Sequence, residues 1–310
     1  MMNVKRFLYC LLFGLFFINI PVWALRFPLP PAGNDLFGKL QLARVKSGDD
    51  FGTIARRYDV GFYELVEANP YVNPEHPKPD TMLIIPTQYL LPHVAHAGIV
   101  INLASMRLFY FPAGKNYFYT YPVGIGKQNW STPLGELHVI QKIKDPVWVV
   151  PESVMQYRKA QGDPVPKIVQ AGPNNPLGDY ALRLSIPTYL IHGTNEPESV
   201  GRRSSAGCIH LYPEDIQQLF AMVDVNTRVF ILNEPYQAGW NKHRLYIEAH
   251  LPLVEERKTL EDIPAVVQAL VGNWLHGSDP SPVAWKTAND VVKEHTGIPT
   301  VITDVSENSP

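Results

Sequence analysis

Two neighbouring stretches decide the reading of this chain: Thr188-Tyr189-Leu190-Ile191-His192-Gly193-Thr194-Asn195, and Ser204-Ser205-Ala206-Gly207-Cys208-Ile209-His210-Leu211. The first is a short strand candidate, Thr188 to His192, rich in β-branched and aromatic residues and stopped by a glycine. The second is a turn of small residues with a cysteine directly after a glycine. A sulfur placed there has room around it, and backbone N–H groups in such a turn can point at a developing oxyanion. One returning loop suffices to bring a histidine sixteen residues upstream, at a strand end, beside the cysteine. Cys208 also lies just before the segment Pro213 to Val223, which reads as a helix with proline in its first turn.

Working outward, strand candidates follow one another from Gly98 onward: Ile99–Leu103, Arg107–Phe111, Tyr117–Gly124, Glu136–Ile140, Val147–Val150, Tyr180–Leu184 and Val229–Leu232. Short strands separated by proline and glycine predict a mainly β domain of sandwich or barrel-like build. Pro213–Val223 is the one clear helix within it. With 45% hydrophobic and 18% charged residues, the 310-residue chain can bury a sizeable core, and its 29 prolines favour turns over long helices.

The N-terminus is a separate matter. Lys5 and Arg6 precede an apolar run from Phe7 to Ile20, which is followed by Pro21, Val22, Trp23 and Ala24. This is the layout of a secretory signal cleaved near Ala24, residues 1–24. The run falls short of the ~20 apolar residues a membrane-spanning helix needs. Cleavage removes two basic residues and no acid, which deepens the formal charge from −2 to −4 and argues against nucleic acid as a partner. It also removes Cys10 and leaves Cys208 as the single cysteine of an exported, periplasmic protein. Unpaired cysteines are uncommon in oxidising compartments, so Cys208 is either buried and inert or a working thiol. A free thiol near pKa ~8.5 is mostly protonated at neutral pH, and an adjacent imidazole turns it into a nucleophile. From the residues alone both readings stay open. No third acidic residue is evident, and the carbonyl of Gly193 or a neighbour is the candidate to orient the His192 ring.

The stretch from His192 to Leu211 resembles the active-site signature of the L,D-transpeptidase family, a histidine followed some fifteen residues later by Ser-His-Gly-Cys. Supporting features are Ile99-Val100-Ile101-Asn102-Leu103, Pro122-Val123-Gly124-Ile125-Gly126-Lys127, Thr132-Pro133-Leu134-Gly135 and Tyr212-Pro213-Glu214-Asp215-Ile216. The resemblance spans roughly residues 97–233. It implies that Cys208 is a nucleophile, that His192 is its base, and that N–H groups around Gly207 and Cys208 hold the oxyanion. Ser205, His210 and Arg203 are then candidates for oxyanion or substrate contacts, and no metal or organic cofactor is needed. Two positions depart from the pattern. Ala206 replaces the second histidine, and His210 stands where the family often has arginine; if that position meets a substrate carboxylate, the contact depends on pH. Arg202 is a second candidate for a carboxylate or a solvated loop residue. Trp130 is a candidate wall of a groove, and Tyr189 fits core packing better.

Upstream, residues 42–87 predict strand, helix, helix, strand. Ala43–Lys46 leads to a Ser47-Gly48-Asp49-Asp50 turn, and Phe51, Ile54, Ala55 and Tyr58 share one helical face. Phe62–Ala68 stops at Asn69-Pro70, and Met82–Ile85 returns. Val45-Lys46-Ser47-Gly48-Asp49, Ile54-Ala55, Leu65, Asn69-Pro70 and Leu83-Ile84-Ile85-Pro86 resemble a LysM module, which implies binding to N-acetylglucosamine-containing glycan strands. Pro79-Asp80-Thr81 stands where that family usually turns on a glycine. The region before it, residues 25–41, reads as a lead-in. His93 and His96 sit between Pro92 and Gly98, which disfavour the helix that an i, i+3 metal pair would need. Residues 240–302 read as an appended helical segment, with helices at Pro264–Leu275 and Trp285–His295.

Together the resemblances imply acyl transfer from the diaminopimelate carbonyl of a peptidoglycan stem tetrapeptide, with release of D-alanine. The acceptor is a second diaminopimelate side chain, a lysine of an outer-membrane lipoprotein, or water, which would make the protein a carboxypeptidase or hydrolase. A non-catalytic wall-binding protein is the alternative from another class.

Overall fold

The computed structural model describes residues 25–275 and 282–303; the expected signal, residues 1–24, and the end of the polar tail lie outside the described residues. The strand–helix–helix–strand unit forms in the expected order, with its first strand at Gln41–Arg44, two residues earlier than the expected Ala43–Lys46. Helix α1 (Phe51–Tyr58) is opened by Asp50, whose carboxylate accepts from the Thr53 N–H, and is closed by Asp59 in the left-handed region. Helix α2 (Phe62–Ala68) begins at Gly61, whose N–H donates to Glu64 Oε2 at 2.7 Å. The strands Gln41–Arg44 and Met82–Ile85 pair antiparallel. Val45, Phe51, Ile54, Leu65, Leu83 and Ile85 make the core between them. Asp80 takes φ +69, so an aspartate, which tolerates the left-handed region better than most residues, supplies the turn otherwise left to glycine.

The main sheet has nine strands in the order Leu25–Pro28, Tyr117–Pro122, Arg107–Phe111, Gly98–Asn102, Arg228–Leu232, Gly135–Lys144, Tyr180–Leu184, Leu190–His192 and Ile209–His210. It is antiparallel except where Arg228–Leu232 meets Gly98–Asn102 and where Leu190–His192 meets Ile209–His210. Both faces are covered, which is why the central strands read as continuous apolar runs. Ile99, Ile101, Leu108 and Tyr121 point to the side packed by Ile216 and Leu219 of a helix that spans Pro213–Met222. Val100, Phe109 and Phe118 point to the other side, against Phe37 and Tyr89. Those two come from the paired strands Leu36–Gly38 and Gln88–Leu90.

The lead-in is therefore more than a tether. Leu25–Pro28 adds an edge strand to the main sheet, where its terminal proline costs no ladder bond, and Leu36–Gly38 caps the aromatic face. Short strands flanked by proline carry too little periodicity to be read from sequence. A helix at Glu152–Ala160, with a single buried residue, Val154, was missed for the same reason: it shows no apolar stripe. Numbered along the chain, it is α3, and Pro213–Met222 is α4.

At the C-terminus the two expected helices are present as α5 (Ile263–Gly272) and α6 (Trp285–Glu294). They pack on a hairpin, Tyr236–Asn241 with Arg244–Ala249, joined by Thr300–Val301. Ala238, Leu245, Ile247, Val267, Val271 and Val292 form its separate core. The hairpin turn uses Lys242 and His243 at φ +47 and +62, a primed turn made without its usual Asn-Gly signal.

The three units are joined by ion pairs, two of them buried, and by backbone bonds. Arg107 of the main sheet, fully buried, donates from Nε and an Nη to the Glu64 carboxylate at 2.6 and 2.7 Å, and stacks 4.2 Å from the Tyr89 ring centroid. Arg56 reaches Glu214 with two bonds of 3.0 Å, and the Phe62 and Tyr63 N–H groups donate to the carbonyls of Val200 and Gly201. On the other side, His250 of the C-terminal unit lies between Glu248 and Glu67 of α2. Among the described residues no helix is long and apolar enough to cross a membrane.

Candidate active site

The parallel strands Leu190–His192 and Ile209–His210 set Ile191 opposite Ile209 and His192 opposite His210. Side chains alternate along a strand, so His192 and His210 share one face, and Cys208 lies just before the second strand. His192 is 6% exposed, and its Nδ1–H donates to the Gly193 carbonyl at 2.6 Å. A carbonyl can only accept, so this bond places the proton on Nδ1 and leaves Nε2 with a free lone pair. Burial, reinforced by the neighbouring His210 ring, holds the imidazole down at about 3, against the pull of the Gly193 bond. Burial likewise pushes the Cys208 thiol up to about 11, with a Leu190 backbone contact opposing. The resting pair is thus a neutral thiol and a neutral imidazole. The thiol lies 3.6 Å from the Thr188 carbonyl. Thr188 sits at φ +72, a costly conformation for a β-branched residue, on the order of 1–3 kcal/mol. Nothing in the sequence singled out this residue.

The turn before Cys208 is braced from within. Gly207 has φ +106, and a side chain there would begin 2.9 Å from the Tyr189 ring and 3.2 Å from the Ser131 carbonyl. Its N–H donates to Ser205 Oγ at 3.0 Å, while that hydroxyl donates to the Cys208 carbonyl at 2.6 Å. Thr132 Oγ1 donates to the Gly207 carbonyl at 2.9 Å. Ser205 and Gly207 are therefore beside Cys208 as the sequence predicts, but they spend their polar groups on the turn. The N–H of Cys208 itself has no acceptor among the described residues.

Two expected substrate contacts are placed differently. His210 is 3% exposed, and its Nε2 lies 3.2 Å from the Ser199 carbonyl and 3.0 Å from Ser199 Oγ. Gly124 packs directly on its ring, and burial lowers it to about 4. It ties the 196–204 loop to the sheet. Arg203 donates from Nε to the Gly126 carbonyl and from both Nη groups to Glu255 at 3.0 and 2.8 Å. That pair lines a cavity of about 100 Å³ together with Thr132, Leu134 and Leu253. Arg202 turns away, its guanidinium 3.2 Å from the Phe62 ring centroid. Tyr189 packs on the main core, and its hydroxyl lies 3.3 Å from the Ser131 carbonyl. Trp130, half-buried, meets Tyr157 of α3 edge-on at 5.7 Å. Among the described residues no three His, Cys, Asp or Glu side chains are grouped to hold a metal.

Residues 96–231 match the YkuD-type L,D-transpeptidase catalytic domain, and residues 43–86 match the LysM domain. The chain is 37% identical over 290 residues to the probable L,D-transpeptidase YcfS of Escherichia coli, covering 91% of this chain and 89% of that one. It is 35% identical over 283 residues to the probable L,D-transpeptidase ErfK/SrfK of Salmonella typhimurium, covering 89% and 90%. The crystal structure of L,D-transpeptidase 3 from Mycobacterium tuberculosis aligns with 49% of this chain and 67% of its own, at 17% identity and a TM-score of 0.33. By its near full-length kinship with the enterobacterial proteins and its two matched domains, the chain belongs to the L,D-transpeptidase family of enzymes.

Proposed function

We propose that the protein is a periplasmic L,D-transpeptidase in which Cys208 attacks the diaminopimelate carbonyl of a stem tetrapeptide. His192 Nε2 takes the thiol proton as the C–S bond forms, and the Cys208 N–H receives the oxyanion. The C–N bond to D-alanine then breaks, and His192 returns the proton to the departing amine. An amine displaces the thioester and its proton passes back through His192 to the sulfur. The single observation that carries this reading is the His192 Nδ1 to Gly193 bond of 2.6 Å, which fixes the tautomer with an open Nε2 on a strand paired with the one that directly follows Cys208.

With a thiol near 11 and an imidazole near 3, the proton moves in step with the attack rather than beforehand. Peptidoglycan supplies the donor, and the LysM unit holds its glycan strand. The acceptor is an amine, either a second stem's side chain or a lysine of an outer-membrane lipoprotein. D-alanine release from purified tetrapeptide muropeptide tests the reading: wild type releases it, and Cys208→Ala does not. Equal release by the variant would overturn the assignment, and a product equal to donor acid alone would replace the amine by water.

A further inference from the structure

Cations gather around the Cys208 turn, and the structure disposes of most of them. Arg203 is saturated by Glu255 and Gly126, Arg202 faces Phe62 with its Nε–H on the Glu198 carbonyl, and His210 is buried and neutral. Lys127 is different. It is half-buried, and no carboxylate pairs with its ammonium among the described residues. Two aromatic faces hold it instead, Tyr157 at 3.7 Å and Trp130 at 5.5 Å from the ring centroids. Cation–π contacts fix the position of a charge without neutralising it.

The backbone ties this charge to the reaction centre. The Lys127 N–H donates to the Ser205 carbonyl at 3.0 Å, and Ser205 Oγ holds the Cys208 carbonyl. A side chain on Gly126 would begin 3.0 Å from the Gly207 Cα, so the Lys127 loop lies against the turn that carries the cysteine. The ring on the other side of the ammonium comes from α3, within the 145–178 excursion. That excursion is rooted beside His192: Asp145 N–H donates to the Asp179 carbonyl, and Gly178 packs on Gly193. It thus leaves the sheet on the His192 side and meets Lys127 and Trp130 on the Gly207 side. The ammonium therefore sits where the excursion meets the loop packed on the Cys208 turn.

We propose that Lys127 is the specificity-determining residue that binds a free carboxylate of the stem peptide, held in place by Trp130 and Tyr157. The inference rests on the acyl-transfer reading above. The two residues joined by the scissile bond carry two such carboxylates, and one of these is the assigned partner: the one at the D-centre of diaminopimelate, or the terminal one of the departing D-alanine. Both present the same chemistry to an ammonium, and amidating each in turn separates them. Arg183, exposed and held by no side-chain bond among the described residues, is the comparison cation.

The experiment measures kcat and KM for acyl-enzyme formation with wild type, Lys127→Met, Lys127→Arg and Arg183→Ala. Each is given the free tetrapeptide, the same peptide amidated at the D-centre, and the same peptide ending in D-alaninamide. A charge-assisted bond lost from the free peptide lowers kcat/KM by about 10- to 100-fold in Lys127→Met. Amidating the recognised carboxylate should cost wild type the same factor and cost Lys127→Met nothing further, while Lys127→Arg retains the discrimination. Whichever amide shows that non-additivity names the carboxylate. If both amides lower wild type and Lys127→Met by equal factors, or if Arg183→Ala and not Lys127→Met abolishes discrimination, the proposal is overturned. Iodoacetamide labelling of Cys208 should be unchanged in Lys127→Met. The absence of any acyl-enzyme in wild type would fail the underlying reading instead.

Discussion

Replacing Arg107 by methionine removes a guanidinium that is fully buried between the LysM unit and the main sheet. The methionine fills much of the volume but leaves the Glu64 carboxylate, 3% exposed, with only the Gly61 N–H. It also removes the bond to Thr120 Oγ1 at 3.1 Å and the stack on Tyr89. Breaking one partner of a buried ion pair typically costs about 3–5 kcal/mol, because the surviving charge stays out of water. For domains of this size that corresponds to a melting temperature lower by roughly 6–20 °C. Calorimetry of Arg107→Met beside the double variant Arg107→Met/Glu64→Leu is the assay, since the double variant leaves no orphan charge and should recover most of the loss. Because Phe62 and Tyr63 hold Val200 and Gly201, within the loop between His192 and Cys208, the single variant should also acylate more slowly below its melting point. A single variant that melts within 2 °C of wild type, or a double variant no more stable than the single, would refute the reasoning.

Other perturbations test separate parts of the account. With the thiol raised to about 11, the rate of Cys208 alkylation by iodoacetamide should keep rising through pH 10; a plateau reached by pH 7 would mean a preformed thiolate–imidazolium pair. Burial opposes a charge on His250, but Glu248 and Glu67 overcome it and raise the ring to about 10. Its stabilisation is therefore complete below the ordinary value of 6.5 and is lost as pH rises through 10. Urea unfolding should show roughly a few kcal/mol less stability at pH 10 than at pH 6, and His250→Gln should flatten that slope. Arg203→Met should destabilise the contact between the 250–256 segment and the catalytic turn. Its expected mark is raised protease sensitivity near Glu255 with little change in Cys208 labelling; an abolished acylation with an intact segment would restore Arg203 as a substrate contact.

The legible parts of this chain were those whose physics is local. Helix α1 carries its apolar stripe and its Asp50 cap within nine residues, and α2 ends at the Asn69-Pro70 boundary, so both were readable to the residue. His192 and Cys208 stood out as a candidate pair by residue type, but their roles came from the resemblance to the L,D-transpeptidase signature, and the carbonyl of Gly193 was named because no acid was at hand. What the sequence hid was set by partners far along the chain. Leu25–Pro28 becomes a strand only because Tyr117–Pro122 offers an edge. Arg203 looked available for a substrate because Glu255, fifty-two residues later, gave no sign of meeting it. His210 was a candidate substrate contact by its place in the signature alone, because the Ser199 turn and Gly124 that bury it come from two other segments. Lys127 was visible only as part of a motif, since Tyr157 lies on a helix with no stripe to announce it.

The central claim is that acyl transfer runs through Cys208 with His192 as the base. Intact-mass measurement of the mature chain mixed with tetrapeptide muropeptide tests it most directly, beside Cys208→Ala and His192→Gln. Wild type should gain the donor mass less D-alanine, with the adduct mapped to the Cys208 peptide. Cys208→Ala should gain nothing, and His192→Gln should gain the adduct far more slowly. An adduct on Cys208→Ala, or none on folded wild type with a titratable thiol, would contradict the account.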